Sequence, residues 1–160
     1  ADAKKFKFIY ELMINEALEK NKDLFEFFKF MIDYRKKHPV IRKKLDNAVC
    51  GMEAMHAHDV NAERMEVPQN AKTLAVSFAG YDRKKGKDDL VYVAVNAYWE
   101  EVKITLPNLA NHGAWYLSVD TYGDEKGKYF YQEGEEIRID REYVMKPRSI
   151  VVFTGREILR

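Results

Sequence analysis

Asp23–Leu45, DLFEFFKFMIDYRKKHPVIRKKL, reads as one amphipathic helix stopped by His38-Pro39 and followed by a short basic tail. Asp23 fits an N-cap, and Glu26 three residues later gives a start resembling a capping box. On a wheel of about 100° per residue, Leu24, Phe25, Phe27, Phe28, Phe30, Met31, Ile32 and Tyr34 cover an arc of roughly 220°. Glu26, Lys29, Asp33, Lys36 and Lys37 fill the remainder. A helix packed on one neighbour needs a stripe nearer ~100° wide. This helix therefore requires partners on two sides, supplied by the rest of the chain or by a body outside it.

Upstream, residues 1–20 carry helical spacing, with Phe6, Ile9, Tyr10, Met13, Ile14, Ala17 and Leu18 on one face. Asn21-Lys22 breaks the pattern, so an antiparallel helix pair is an available arrangement. Downstream of Pro39 the periodicity fades, with one short strand expected near Glu53–His58. From Thr73 the period becomes two. Strands are expected at Leu74–Gly80, Leu90–Asn96, Val102–Leu106, Trp115–Val119, Tyr129–Tyr131, Glu136–Ile139 and Arg148–Thr154, with a charged hairpin loop over Tyr81–Asp88. Short strands separated by turn signals indicate an antiparallel sandwich rather than a parallel sheet. The expected fold is mainly β: a Greek-key β-sandwich preceded by one or two helices. Its divisions are a helical segment 1–45, a connector 46–72 and a sandwich 73–160.

Composition narrows the function. A 46% hydrophobic content supports a packed core and excludes disorder. A net charge of +1, with both signs interspersed, leaves no electrostatic footprint for nucleic acid or an anionic membrane. No apolar run reaches the ~18 residues of a membrane span. Cys50 is the single cysteine, which suits a reducing, cytoplasmic location.

The residues also carry a resemblance. Leu24–Leu45, with Arg35, Lys36, His38, Pro39, Ile41 and Arg42, resembles the last barrel helix of isoamylase- and pullulanase-type debranching enzymes, in the α-amylase superfamily (glycoside hydrolase family 13). LAVSFAG (Leu74–Gly80), DDLVYVAVNAYWEEVKITLP (Asp88–Pro107), WYLSVDT (Trp115–Thr121) and YVMKPRSIVVF (Tyr143–Phe153) are similar, in the same order, to the C-terminal domain of those enzymes. The resemblance implies a sandwich packed against the final helix of a (β/α)8 barrel, and thus a second partner for the wide apolar arc. It also implies a parent enzyme that hydrolyses α-1,6-glucosidic branches of glycogen or starch. The Asp nucleophile, Glu general acid and third Asp of the superfamily belong to earlier barrel strands, so no catalytic residue transfers to this chain. The implied partner is a barrel packing on Phe25, Phe27, Phe28, Phe30, Met31 and Tyr34, with α-glucan reached through the parent enzyme.

Read without the resemblance, the chain offers few chemical sites. A retaining glycosidase needs two carboxyls about 5–5.5 Å apart. The nominal pairs Asp88/Asp89, Glu100/Glu101 and Glu135/Glu136 are adjacent residues, which point to opposite faces of a strand, and are expected as turn and edge charges. His56 and His58 would share a strand face, and Asp59 or Glu63 could join them, but the set lacks a recognised metal spacing. No metal, cofactor or catalytic residue is expected, and Cys50 is read as an inert thiol. Trp115 alternates with Leu117 and Val119 and belongs to the core. Tyr98 and Trp99, in a turn, are the best candidates for contact with a sugar ring. Three readings follow: a non-catalytic accessory domain of a debranching hydrolase, a free-standing carbohydrate-binding module, or an interaction domain forming homo-oligomers through its helix face.

Overall fold

The computed structural model describes residues 2–62, 69, 71–110 and 113–156, with side chains from residue 4 onward except 5 and 6. The chain forms two compact units, residues 1–34 and 35–160. The first holds α1 (Asp2–Lys20) and most of α2 (Lys22–Lys37). An antiparallel pair does not form. Only Asn21 separates the helices, and the i→i−4 ladder runs through it, from Asn21 N–H to Ala17 O and from Phe25 N–H to Asn21 O. A helical hairpin needs a loop of about 2–5 residues. The continuous ladder also removes Asp23 from the N-cap role. Asp23 lies in the first turn of α2, and Glu26 pairs with Lys29 at 3.2 Å instead of reaching back to a cap.

The second unit begins with the end of α2 and a 3-10 turn, Pro39–Ile41, where the proline ends the helix. Eight strands follow: β1 (Met55–His58), β2 (Thr73–Asp82), β3 (Lys87–Asn96), β4 (Val102–Thr105), β5 (Ala114–Asp120), β6 (Ile137–Ile139), β7 (Glu142–Met145) and β8 (Ser149–Arg156). They make a six-stranded antiparallel sheet, β1-β2-β3-β8-β5-β6, and a two-stranded sheet, β4-β7. The chain leaves the large sheet after β3 and again after β6. β8 then returns to lie between β3 and β5, giving the crossed connections of a Greek-key sandwich. Mainly β with N-terminal helices is therefore the architecture.

Two expected segments differ most. The Tyr81–Asp88 loop contracts to residues 83–86, because β2 and β3 pair as far as Asp82↔Lys87. Gly86 takes φ +66° there, while Asp82 accepts from Lys84 N–H (3.0 Å) and Gly86 N–H (2.8 Å). Tyr129–Tyr131 forms only a single bridge, Val119↔Phe130, rather than a strand. β7 has no counterpart among the expected strands. Four residues ahead of Lys146-Pro147 are too short a run for period two to register.

The core lies between the sheets. Leu90, Tyr92, Trp115, Leu117 and Phe153 from the large sheet meet Ile104, Leu106, Met145 and half-buried Tyr143. The Tyr143 ring sits edge-on to Phe153 at 5.3 Å, and its hydroxyl donates to Asp120 at 2.6 Å. Burial first, and then the Asp120 carboxylate, hold the Tyr143 phenol well above its ordinary pKa.

Candidate functional site

Among the described residues no three His, Cys, Asp or Glu side chains gather as a metal-binding group, and Glu63 lies outside those residues. His56 and His58 do share a face of β1, with ring centroids 4.7 Å apart. Three of their ring nitrogens are engaged by protein groups. His56 Nδ1 meets Glu53 at 2.9 Å. His58 Nδ1–H donates to Ala62 O at 3.2 Å, so its Nε2 accepts from the Ser77 hydroxyl at 2.8 Å.

Burial is the main cause that lowers the His58 pKa below its usual 6.5, with His56 adding to it and the Ala62 hydrogen bond opposing it. The folded chain thus holds this imidazole neutral, and the unfolded chain takes up the proton first. The stability so contributed is complete above pH 6.5 and is lost as pH falls from there through the folded value. The thermal midpoint should therefore fall between about pH 7.5 and about pH 5, and His58→Gln should flatten that slope. An unchanged slope in the variant would refute the assignment. The carboxylates Asp124 and Glu135, lowered mainly by the hydrogen bond from Lys128 in each case, lose their contributions in a separate, more acidic window.

The carboxylate pairs diverge, and two of their members do structural work. Asp88 faces the inner side of the large sheet and accepts from Val49 N–H and Cys50 N–H, both at 2.8 Å. Asp89 faces the outer side, where it holds His38 Nδ1 at 2.6 Å and accepts from Val40 N–H at 3.0 Å. Between these grips the chain rounds the sheet edge at Gly80. A Cβ there would lie 2.7 Å from Leu45 Cβ, so only glycine admits the crossing. Tyr81 N–H then bonds Asp46 O at 2.9 Å. The pair is thus a clasp on the segment from His38 to Cys50, not simple edge charge. Glu101 pairs with Lys146, Glu135 with Lys128, and Glu136 with Arg156. The Cys50 thiol packs against the core.

Residues 50–154, about two thirds of the chain, match the family described as Isoamylase, C-terminal. This chain belongs to that family. Its sandwich is therefore the C-terminal domain of an isoamylase-type glycoside hydrolase, the class of protein in which such a domain accompanies a catalytic one. No curated protein matches the chain. Among the described residues no helix is long and apolar enough to cross a membrane.

Two surfaces of this isoamylase C-terminal domain stand out. The first is the outer face of the large sheet. β3 reads LVYVAV (Leu90–Val95), apolar on both faces. The outer rows are Phe78–Val91–Thr154, Val76–Val93–Val152 and Leu74–Val95–Ile150 across β2, β3 and β8. Val91 and Val152 are buried, whereas Leu74, Val95 and Ile150 remain 48%, 37% and 41% exposed. The second is the turn after β3, where Tyr98 is half-buried and Trp99 is 64% exposed. In the helical unit, Leu24, Phe25, Phe28 and Ile32 are exposed, Phe27 and Met31 half-buried, and Phe30 and Tyr34 buried. The unbroken apolar run of β3 signals its two apolar faces. Nothing local in the sequence links Asp89 to His38, because the contact spans 51 residues.

Proposed function

We propose that this chain is the non-catalytic accessory domain of a glycogen or starch debranching hydrolase, docked on a (β/α)8 catalytic domain. The observation that carries the reading is the outer row Leu74–Val95–Ile150. A sheet with one solvated face alternates apolar and polar residues, whereas strands apolar on both sides belong to sheets covered on both faces. The exposed side chains of Phe25 and Phe28, with half-buried Phe27 and Met31, support a second contact with the same barrel. Buried Phe30 and Tyr34 make no such demand. The domain's task is to cover apolar barrel surface. Hydrolysis of α-1,6 branches belongs to the catalytic domain, and the single Cys50 suits a cytoplasmic enzyme.

The test is to mix this chain with the separately produced barrel of an isoamylase-type enzyme and measure association. Val95→Lys with Ile150→Lys should weaken it by about 100-fold or more, since each change places a charge in a desolvated apolar contact. Undiminished association of the double variant would refute the docking surface. Release of reducing ends from pullulan by this chain alone would refute the non-catalytic role.

A further inference from the structure

We propose that the Tyr98–Trp99 turn is a surface subsite on which a glucosyl ring of an α-glucan chain stacks. The inference rests on the accessory-domain reading for its ligand class, but its geometry is independent of barrel docking. The turn is built around Asn96, the last residue of β3, which is fully buried. Its Nδ2 donates to Glu100 O at 2.9 Å and Lys146 O at 3.1 Å, and its Oδ1 accepts from Tyr98 N–H at 3.0 Å. Arg148 N–H donates to Tyr98 O and Ala97 N–H to Lys72 O, both at 3.0 Å. Five hydrogen bonds thus fix a short turn that carries an exposed indole.

The rings of Tyr98 and Trp99 lie 4.2 Å apart at 39°, forming one aromatic step. The Lys72 ammonium stands 3.8 Å from the Tyr98 centroid and 5.3 Å from that of Trp99. It therefore covers the Tyr98 ring and flanks the indole, 64% of which remains exposed for a ligand. A pyranose presents an apolar C–H face bordered by hydroxyls. Trp99 offers a matching apolar plane that loses little side-chain entropy on binding, and Lys72 supplies three donors at its rim. Glu100 and Glu101, next along the chain, disfavour a phosphorylated ligand such as a nucleic acid.

The chain's two tryptophans make the test specific, because Trp115 is buried and Trp99 is open to acrylamide. Maltoheptaose at millimolar concentration should protect the quenchable fraction of tryptophan emission saturably. Trp99→Ala should weaken maltoheptaose binding, followed by calorimetry, at least about tenfold with the thermal midpoint nearly unmoved. Lys72→Met should weaken it about threefold. Absence of saturable protection, or equal affinity in Trp99→Ala, would overturn the subsite. Barrel association of Trp99→Ala is measured in parallel. Normal docking without sugar protection overturns the subsite alone, and an indole shielded by the barrel instead of by sugar does the same.

Discussion

Trp115→Ala is expected to cost about 3–5 kcal/mol of folding stability, the range for deleting a buried aromatic side chain. Trp115 is 2% exposed, and its indole N–H donates to Pro107 O at 2.7 Å. Its ring lies 5.9 Å from that of Tyr92. The space is tailored on the far side too. A Cβ at Gly155 would lie 3.0 Å from the Trp115 ring and 2.8 Å from Leu90 Cβ, so β8 carries glycine where it crosses the indole. Truncation therefore opens a cavity and strands a carbonyl without its donor. Trp115→Phe should cost less, roughly 1–3 kcal/mol, because most of the ring volume remains. Denaturant unfolding followed by far-ultraviolet dichroism checks both. A loss below about 1 kcal/mol for Trp115→Ala would show that the core relaxes around the gap. The same measurement on Trp99→Ala is the internal contrast.

Asp89→Ala should be the second most damaging single change, at roughly 2–4 kcal/mol. It removes the acceptor of the buried Val40 N–H and the partner of His38 together. The orphaned N–H has no route to water, so its desolvation is not recovered. His38→Ala should cost less, since Asp89 would still accept from Val40. Thermal unfolding orders the two variants. Limited proteolysis of Asp89→Ala should cut first between His38 and Cys50. Stability equal to that of Glu53→Ala, a change at an exposed carboxylate, would refute the clasp.

Much of the sandwich was legible because strand signals are local. The apolar runs in Leu90–Asn96 and Arg148–Thr154, and the alternation of Trp115, Leu117 and Val119, are signals carried by a few adjacent residues. Trp115 was legible as core for that reason. Three features were not. Asp23 and Glu26 have the identities of a capping box, but the helical ladder continues past them through Asn21. Side-chain type at a boundary does not report whether the backbone breaks there. Asp88 and Asp89 resembled edge charge because their partners, Val49, Cys50, His38 and Val40, are 38 to 51 residues away. Tyr98 and Trp99 were legible as turn aromatics. The buried Asn96 that holds them reads in the sequence only as the last residue of the strand Leu90–Asn96.

The separation of His38 from Asp89 also sets an order of events on the ribosome. Chains emerge N-terminus first. The C-terminal end of α2 is synthesised 51 residues ahead of the carboxylate that fastens it. Until β3 has emerged and paired, the stretch from His38 to Cys50 is nascent chain without its anchor. Any message truncated upstream of the Asp89 codon yields a helix end that no later folding step can secure.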